Sequence, residues 1–279
     1  MSDVFILPLP PERRHTLHFL AEIRSFAPVF LDTEVDMTAI ARHRAAARDN
    51  DQRYSVVSYI LYAATRALLA HPEANAAIRG RLRPKLARYQ TVNGKLALDR
   101  TIGGQRVVLS AVLPDLHRAS LAQVQALVEH YRDGDPAEQP EFAGVRLLHK
   151  LPAPIGRALF RLGVRPLHRR AAAFGTFAVS SLGHRPVDGF YSVGGTTITI
   201  GLGQIADRPV VRDGQLAVAA TMRLSLTFDH RVIDGALAAD VLADLKGRLE
   251  TFPAAAGLPR PVGVDVARDP LPLDGDAAA

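Results

Sequence analysis

Met222-Arg223-Leu224-Ser225-Leu226-Thr227-Phe228 alternates apolar and polar side chains without a break, and Asp229-His230-Arg231-Val232-Ile233-Asp234-Gly235 follows it directly. A period of two is the pattern of a strand with one face in a core. We read that strand as Leu216 to Phe228. Gly235 then opens a helix that carries Leu237, Val241, Leu245 and Leu249 on one face and ends at Pro253. A histidine in the loop between such a strand and such a helix is held by rigid elements on both sides.

Working outward, Thr176 to Ser181 and Thr196 to Leu202 also read as strands, and so does Val29 to Val35, which ends at Asp36. Asp36 stands near the cap of a helix from Thr38 to Arg48. Ser55 caps a helix running to about His71, with Val56, Ile60, Ala63, Ala64 and Leu68 on one face and Pro72 closing it. Leu96 to Asp99 and Val107 to Leu113 flank the Gly103-Gly104 turn as strands, and Ser120 caps a helix to about Tyr131. Residues 132–141 form a polar loop. The mixed order of elements, without repeat or linker, predicts one α/β or α+β domain over residues 13–252. A Pro-rich N-terminal arm (1–12) precedes it and a flexible tail rich in Pro, Ala, Gly and Asp (253–279) follows.

The chain has 279 residues, 48% of them hydrophobic, enough for a sizeable core. It has no cysteine, which excludes disulfides, thiolate metal sites and a cysteine nucleophile. No metal-ligand spacing connects the histidines, so no metal is expected. No apolar run approaches membrane-spanning length, and Met1 to Pro11 does not read as a secretory signal; a cytoplasmic protein is expected. The 34 basic residues against 28 acidic ones suit an anionic ligand, while the absence of finger spacing or an aromatic stacking surface argues against nucleic acid.

The basic residues are unevenly placed. Phe142 to Val187 contains no Asp or Glu and eight Lys or Arg. Arg157, Arg161 and Arg165 recur every four residues and share a helical face, with Ile155, Leu159 and Leu162 on another. A solvated face, a contact for a phosphate-bearing cofactor or acidic carrier, and a membrane-surface helix are the three readings, and the three arginines are our candidates for donor binding.

A histidine with Asp-Gly at the fourth and fifth positions occurs twice, at His184 to Gly189 and at His230 to Gly235. The first copy lies in a Pro- and Gly-containing loop after Ser180-Ser181-Leu182-Gly183; the second lies at the strand end quoted above, and context favours it. Ser181 reads as a turn residue. Gly201-Leu202-Gly203 ends a strand without the third glycine and helix of a dinucleotide site, and reads as backbone geometry.

Asp229-His230-Arg231-Val232-Ile233-Asp234-Gly235-Ala236, preceded by Leu224-Ser225-Leu226-Thr227, resembles the signature of the dihydrolipoamide acyltransferases. These are the catalytic cores of 2-oxoacid dehydrogenase complexes, relatives of chloramphenicol acetyltransferase. Gly175 to Gly183 is similar to that family's serine-bearing strand, and the 50 residues from Ser180 to His230 are about its spacing. Ala27 to Phe30, Glu34 to Asp36 and Ser55 to Ala76, with His71-Pro72-Glu73-Ala74-Asn75, extend the likeness over roughly 13–252. Where the family carries an Asn-Pro-Pro-like segment, this chain has Val193-Gly194-Gly195-Thr196.

The resemblance implies a chloramphenicol acetyltransferase-like two-layer sandwich, a mixed sheet flanked by helices. It also implies a homotrimer or higher multiple of three with active sites at subunit interfaces. It casts His230 as general base, Ser180 as oxyanion donor and Asp234 as the structural acid, with Arg13, Arg14 or Arg24 as the basic partner of Asp234. The acyl donor would be a thioester of coenzyme A, or of a carrier or lipoyl protein supplied in trans. A neutral imidazole, near pKa ~6.5 when unperturbed, can take a proton from a thiol, hydroxyl or amine. The lack of cysteine and of a Gly-x-Ser-x-Gly elbow agrees with direct attack and no acyl-enzyme. The alternative is a catalytically weak or inactive trimeric scaffold of the same fold.

Overall fold

The computed structural model describes residues 4–80, 82–212 and 214–253. The tail expected over 253–279 therefore lies, from 254 onward, outside the described residues. The first elements are α1 (Arg14–Glu22), β1 (Pro28–Asp36), α2 (Thr38–Arg48), α3 (Val56–Ala70) and a small hairpin, β2 (Ala76–Arg79) with β3 (Lys85–Arg88). Then come β4 (Gly94–Ile102), β5 (Gln105–Leu113), α4 (Leu121–Asp133), α5 (Ala143–Lys150), α6 (Ala153–Val164) and α7 (Leu167–Phe174). The chain continues through β6 (Phe177–Ser181), β7 (Ile198–Arg212), β8 (Gln215–Asp229) and α8 (Gly235–Glu250).

Six strands form one mixed sheet in the order β1-β8-β7-β6-β4-β5, parallel at β4/β6 and β6/β7 and antiparallel elsewhere. The expected architecture, a mixed sheet flanked by helices, is what is observed. The core joins Leu224, Leu226 and Phe228 of β8 to Leu61 and Leu68 of α3 and to Val241 and Leu245 of α8. The caps behave as read: Asp36 Oδ1 accepts from the Thr38 amide at 2.9 Å, Ser55 Oγ from the Ser58 amide at 3.2 Å, and Ser120 closes a capping box with Gln123.

Several elements exceed or escape the sequence reading. The polar row of β8 is not solvated: Ser225 and Thr227 are buried, and the Ser225 hydroxyl donates to the Phe190 carbonyl, because residues 187–197 fold over that face. That close approach accounts for Gly201 and Gly203. A Cβ at either would stand 1.9 Å from the Phe190 oxygen or 2.0 Å from the Asp188 oxygen. Strand β7 runs on from Leu202 to Arg212, since past a register shift it pairs with β8 alone as a projecting two-stranded arm. Helix α1 and the β2–β3 hairpin were not anticipated. The basic stretch forms three helices.

Two of those helices are fastened to α1. Arg14 Nη1 donates to the carbonyls of His149 (2.8 Å) and Leu151 (2.9 Å). His15 Nε2 faces the Val108 carbonyl at 3.0 Å and therefore donates there, which leaves His15 Nδ1 to accept from His149 Nε2 at 3.0 Å. His18, next along α1, is buried against Gly156 with its Nε2 unpartnered. Burial pushes His18 below the usual imidazole range, with Arg157, His15 and Arg14 adding to it. Burial, His15 and Arg14 do the same to His149, against an opposing pull from Glu12. Groups held neutral in the folded state contribute stability that is complete above the free-imidazole pKa and declines as pH falls below it. Hydrogen exchange of residues 143–164, corrected for intrinsic rates, should therefore be faster at about pH 5.5 than at about pH 7.5 relative to α3 and α8. Equal protection at both pH values would remove the histidine cluster from the attachment.

Candidate active site

The sheet carries the sequence-selected side chains to its two ends. Strand β8 delivers His230 one residue past its own end, where the His230 amide donates to the Ala27 carbonyl at 2.9 Å and the Asp229 amide to the Thr197 carbonyl at 3.0 Å. The buried Asp229 carboxylate braces the loop from within. It accepts from Arg231 Nε at 2.8 Å and Nη2 at 2.6 Å, a bidentate pair, and the Arg231 guanidinium also lies 5.2 Å from the Phe26 ring. His230 packs beside Phe228 at 5.4 Å between centroids. Its Nδ1 faces Asp234 Oδ1 at 3.4 Å, and its Nε2 has no hydrogen-bond partner among the described residues.

The expected arginine partner of Asp234 is not found among the described residues. Arg14 is committed to α5, Arg13 lines a cavity elsewhere, and Arg24 makes no contact with it; among the described residues the ion partner of Asp234 is His230. The Asp234 side chain is 88% exposed among the described residues.

Ser180, one residue before the end of β6, lies on the wall of a cavity of about 300 Å³, shared with Arg13 and Thr16 of the N-terminal helices, Val108 and His184. Its hydroxyl has no partner among the described residues, whereas Ser181 Oγ accepts from the Gly183 amide at 3.4 Å, as a turn residue does. The register sets the distance to His230. Ser180 pairs with Gly201 and Gly201 with Ser225, so His230 lies five residues further along β8 and two strands across. That is roughly 17 Å along the strands and about 10 Å across them. One chain does not bring Ser180 and His230 together.

The two His-x-x-x-Asp-Gly copies also separate here. Asp188 of the first is taken by Arg208 Nη2 at 2.6 Å and Gln204 Nε2 at 2.8 Å and so is turned away from its own histidine, while Asp234 of the second faces its own. Behind the His230 loop, the Val193 to Thr196 segment rests on two buried cations that sequence reading missed. Lys95 Nζ donates to the Gly194 carbonyl and lies 3.6 Å from the Phe174 ring centroid, and Arg170 Nη2 donates to the Gly195 carbonyl at 2.7 Å. Burial pushes Lys95 well below the usual lysine range, and Arg170 adds to the effect.

Two of the three arginines expected to bind the donor are engaged within the chain. Arg165 Nε donates to both Glu22 oxygens, at 2.9 and 3.0 Å, and Arg161 lies 3.7 Å from the same carboxylate. Their spacing placed them on one face as read, but that face turns toward α1, because Glu22 is an acid from outside the acid-free stretch. Of the three, Arg157 has no carboxylate partner. No group of three metal-ligating side chains occurs among the described residues, and none of their helices is long and apolar enough to cross a membrane.

Comparison with known proteins places this geometry. The sequence pattern of the 2-oxoacid dehydrogenases acyltransferase catalytic domain matches residues 5–140 and 166–256. The chain is 28% identical over 258 residues to the dihydrolipoyllysine-residue acetyltransferase component of the mitochondrial pyruvate dehydrogenase complex of Schizosaccharomyces pombe, covering 89% of this chain and 46% of that relative. It thus spans about half the length of the curated relative. Among solved structures it resembles the cubic core of the pyruvate dehydrogenase multienzyme complex, with a TM-score of 0.66 and 21% identity over 90% of this chain and 93% of that one. It also resembles the dihydrolipoamide acetyltransferase of Azotobacter vinelandii, solved to examine a serine, a histidine and an asparagine in its catalytic mechanism. There the TM-score is 0.67, at 21% identity over 90% and 93% of the two chains. The matched pattern covers well over half of the sequence and both candidate residues, and the chain belongs to the family of 2-oxoacid dehydrogenase acyltransferase catalytic domains.

Proposed function

We propose that this protein is an acyltransferase that moves an acyl group from a thioester to a thiol, hydroxyl or amine acceptor. The thioester is one of coenzyme A, or of a carrier or lipoyl protein supplied in trans. The site is completed between copies of the chain in a trimer or a multiple of three. The observation that carries this reading is the pair of unpartnered reactive groups, His230 Nε2 and Ser180 Oγ, standing at opposite ends of one sheet. Rotational symmetry presents the histidine end of one copy to the serine end of the next. Likeness to a cubic core, an assembly with threefold axes, supports the multiple of three.

In this reading His230 Nε2 takes the proton of the acceptor as its sulfur, oxygen or nitrogen attacks the thioester carbonyl. Asp234 on Nδ1 holds the tautomer that leaves Nε2 free to accept. Ser180 Oγ–H donates to the oxyanion of the tetrahedral intermediate. Collapse breaks the carbon–sulfur bond, and the departing thiolate recovers the proton from His230. The Azotobacter protein supports the roles, since its asparagine follows its histidine by four residues, as Asp234 follows His230. A cytoplasmic setting belongs to the same proposal and is checked by cell fractionation.

His230→Ala should lower acyl transfer by roughly 10²–10⁴-fold and Ser180→Ala by about 10²–10³-fold, measured by mass spectrometry with a panel of acyl-coenzyme A donors with and without dihydrolipoamide. His184→Ala should have a much smaller effect; a loss as large as that of His230→Ala would move the base to the cavity that already holds Ser180. Transfer from no donor in the panel would leave the scaffold reading.

Sharing of the site has its own test. When His230→Ala and Ser180→Ala chains are refolded together in equal amounts, mixed trimers should recover roughly a quarter of the wild-type sites, because one interface in each mixed trimer pairs an intact serine with an intact histidine. Additive background activity after mixing would mean that each chain works alone.

A further inference from the structure

Residues 141–165 fall between the two segments that match the family pattern. They hold α5 and α6, which the family pattern does not cover and the acyltransferase reading leaves unused. We propose that this helical pair is the docking surface for an acidic protein domain that carries the acyl group to the site. The proposal rests on that reading and names the form in which the donor arrives.

The inner side of the helical pair is already occupied. Arg14 ties down the carbonyls of α5 and its exit, Glu22 holds Arg165 and Arg161 of the α6 end, and Phe160 packs 6.3 Å from both His18 and Phe174. The outer side is not. Ile155, Leu159 and Leu162 stand one helical turn apart along α6 and are 55%, 41% and 70% exposed, with Ala158 exposed between them. A contiguous apolar stripe in water on a helix fixed in place marks a binding surface.

The rim defines the occupant. Arg157 and Lys150 are exposed beside the stripe and have no carboxylate partner among the described residues, while Arg161 and Arg165 are already paired with Glu22. An apolar centre inside a basic rim fits a partner with an apolar patch ringed by acids. A second copy of this face would set arginines against arginines. A lipid surface fits less well: α6 has only 12 residues, and its arginines lie on one flank, two of them bound to Glu22.

The position suits delivery. Helix α1 presents His18 and Glu22 to the helical pair, while Arg13 and Thr16 at its start line the cavity of Ser180. Helix α6 itself and helix α1, each about 10 Å thick, lie between the docking face and that cavity. A domain seated on α6 can send a flexible acylated arm around the end of α1.

The test uses the full chain and, as probe, an isolated acidic lipoyl domain, with binding followed by titration calorimetry. Wild type should bind at low salt and weaken in about 0.5 M salt. The Ile155→Ser/Leu162→Ser variant, whose changes lie on the exposed face and whose fold is checked by circular dichroism, should bind at least about tenfold more weakly. Its KM for the acylated lipoyl domain should rise in parallel, with kcat/KM for free acyl-dihydrolipoamide unchanged. Binding should persist in His230→Ala, so the docking arm is decided even if the acyltransferase reading fails. Equal affinity of wild type and variant, absence of binding, or capture of phosphatidylglycerol vesicles in place of the lipoyl domain would each overturn the proposal.

Discussion

Strand β8 lies between β1 and β7 and runs antiparallel to both, while β6 and β7 run parallel; this polarity governs where the candidate His230 and Ser180 stand. A residue leaving the end of β8 emerges at the end where β6 begins, and a residue at the end of β6 emerges at the other. His230 and Ser180 are those two residues. Moving either across would require reversing a strand whose side chains are buried on both faces, so the separation is as firm as the core itself. Chemistry that needs both must then be assembled from more than one chain.

What could be read from the sequence was local. The alternation of β8, the Ser55 and Ser120 caps, the Gly103-Gly104 turn and the apolar face of α8 each announce themselves within a few residues, and each is observed. What escaped lacks such signals. Helix α1 starts on Arg13 with no side-chain cap and no acid in its first turn, and its order comes from contacts with α5 and α6 more than a hundred residues away. Strands β2 and β3 have four residues each, too few to show a period. The outer half of β7 carries Pro209 and several charges, and it is a strand only because β8 pairs with it.

The site was legible to the same degree. Residue type marked the two histidine motifs and the family resemblance singled out His230, Ser180 and Asp234 as candidates, but the two motifs could be separated only by their surroundings, since both read as His-x-x-x-Asp-Gly. Gln204 and Arg208 capture Asp188 from a strand sixteen and twenty positions on, and no local rule foresees that. The arginine helix shows the same limit. Its spacing predicted a shared face, while the direction of that face depended on Glu22, which lies over 130 residues earlier.

The Val193 to Thr196 loop illustrates how a departure from the family pattern is accommodated. Prolines would stiffen this segment by fixing φ, and glycines cannot. Here the glycines are required by space: Gly195 has φ +81°, and a Cβ on it would stand 2.6 Å from the Phe174 ring, as one on Gly194 would from Ala178. Rigidity has to come from outside the loop, and Lys95 and Arg170 supply it by holding the two carbonyls from the core side with Phe174 packed against both cations. Two buried cations without a carboxylate carry a desolvation cost, offset in part by the carbonyl dipoles and the ring face. Because Thr197, directly after this loop, accepts the Asp229 amide, the stiffness passes to the strand end that carries His230.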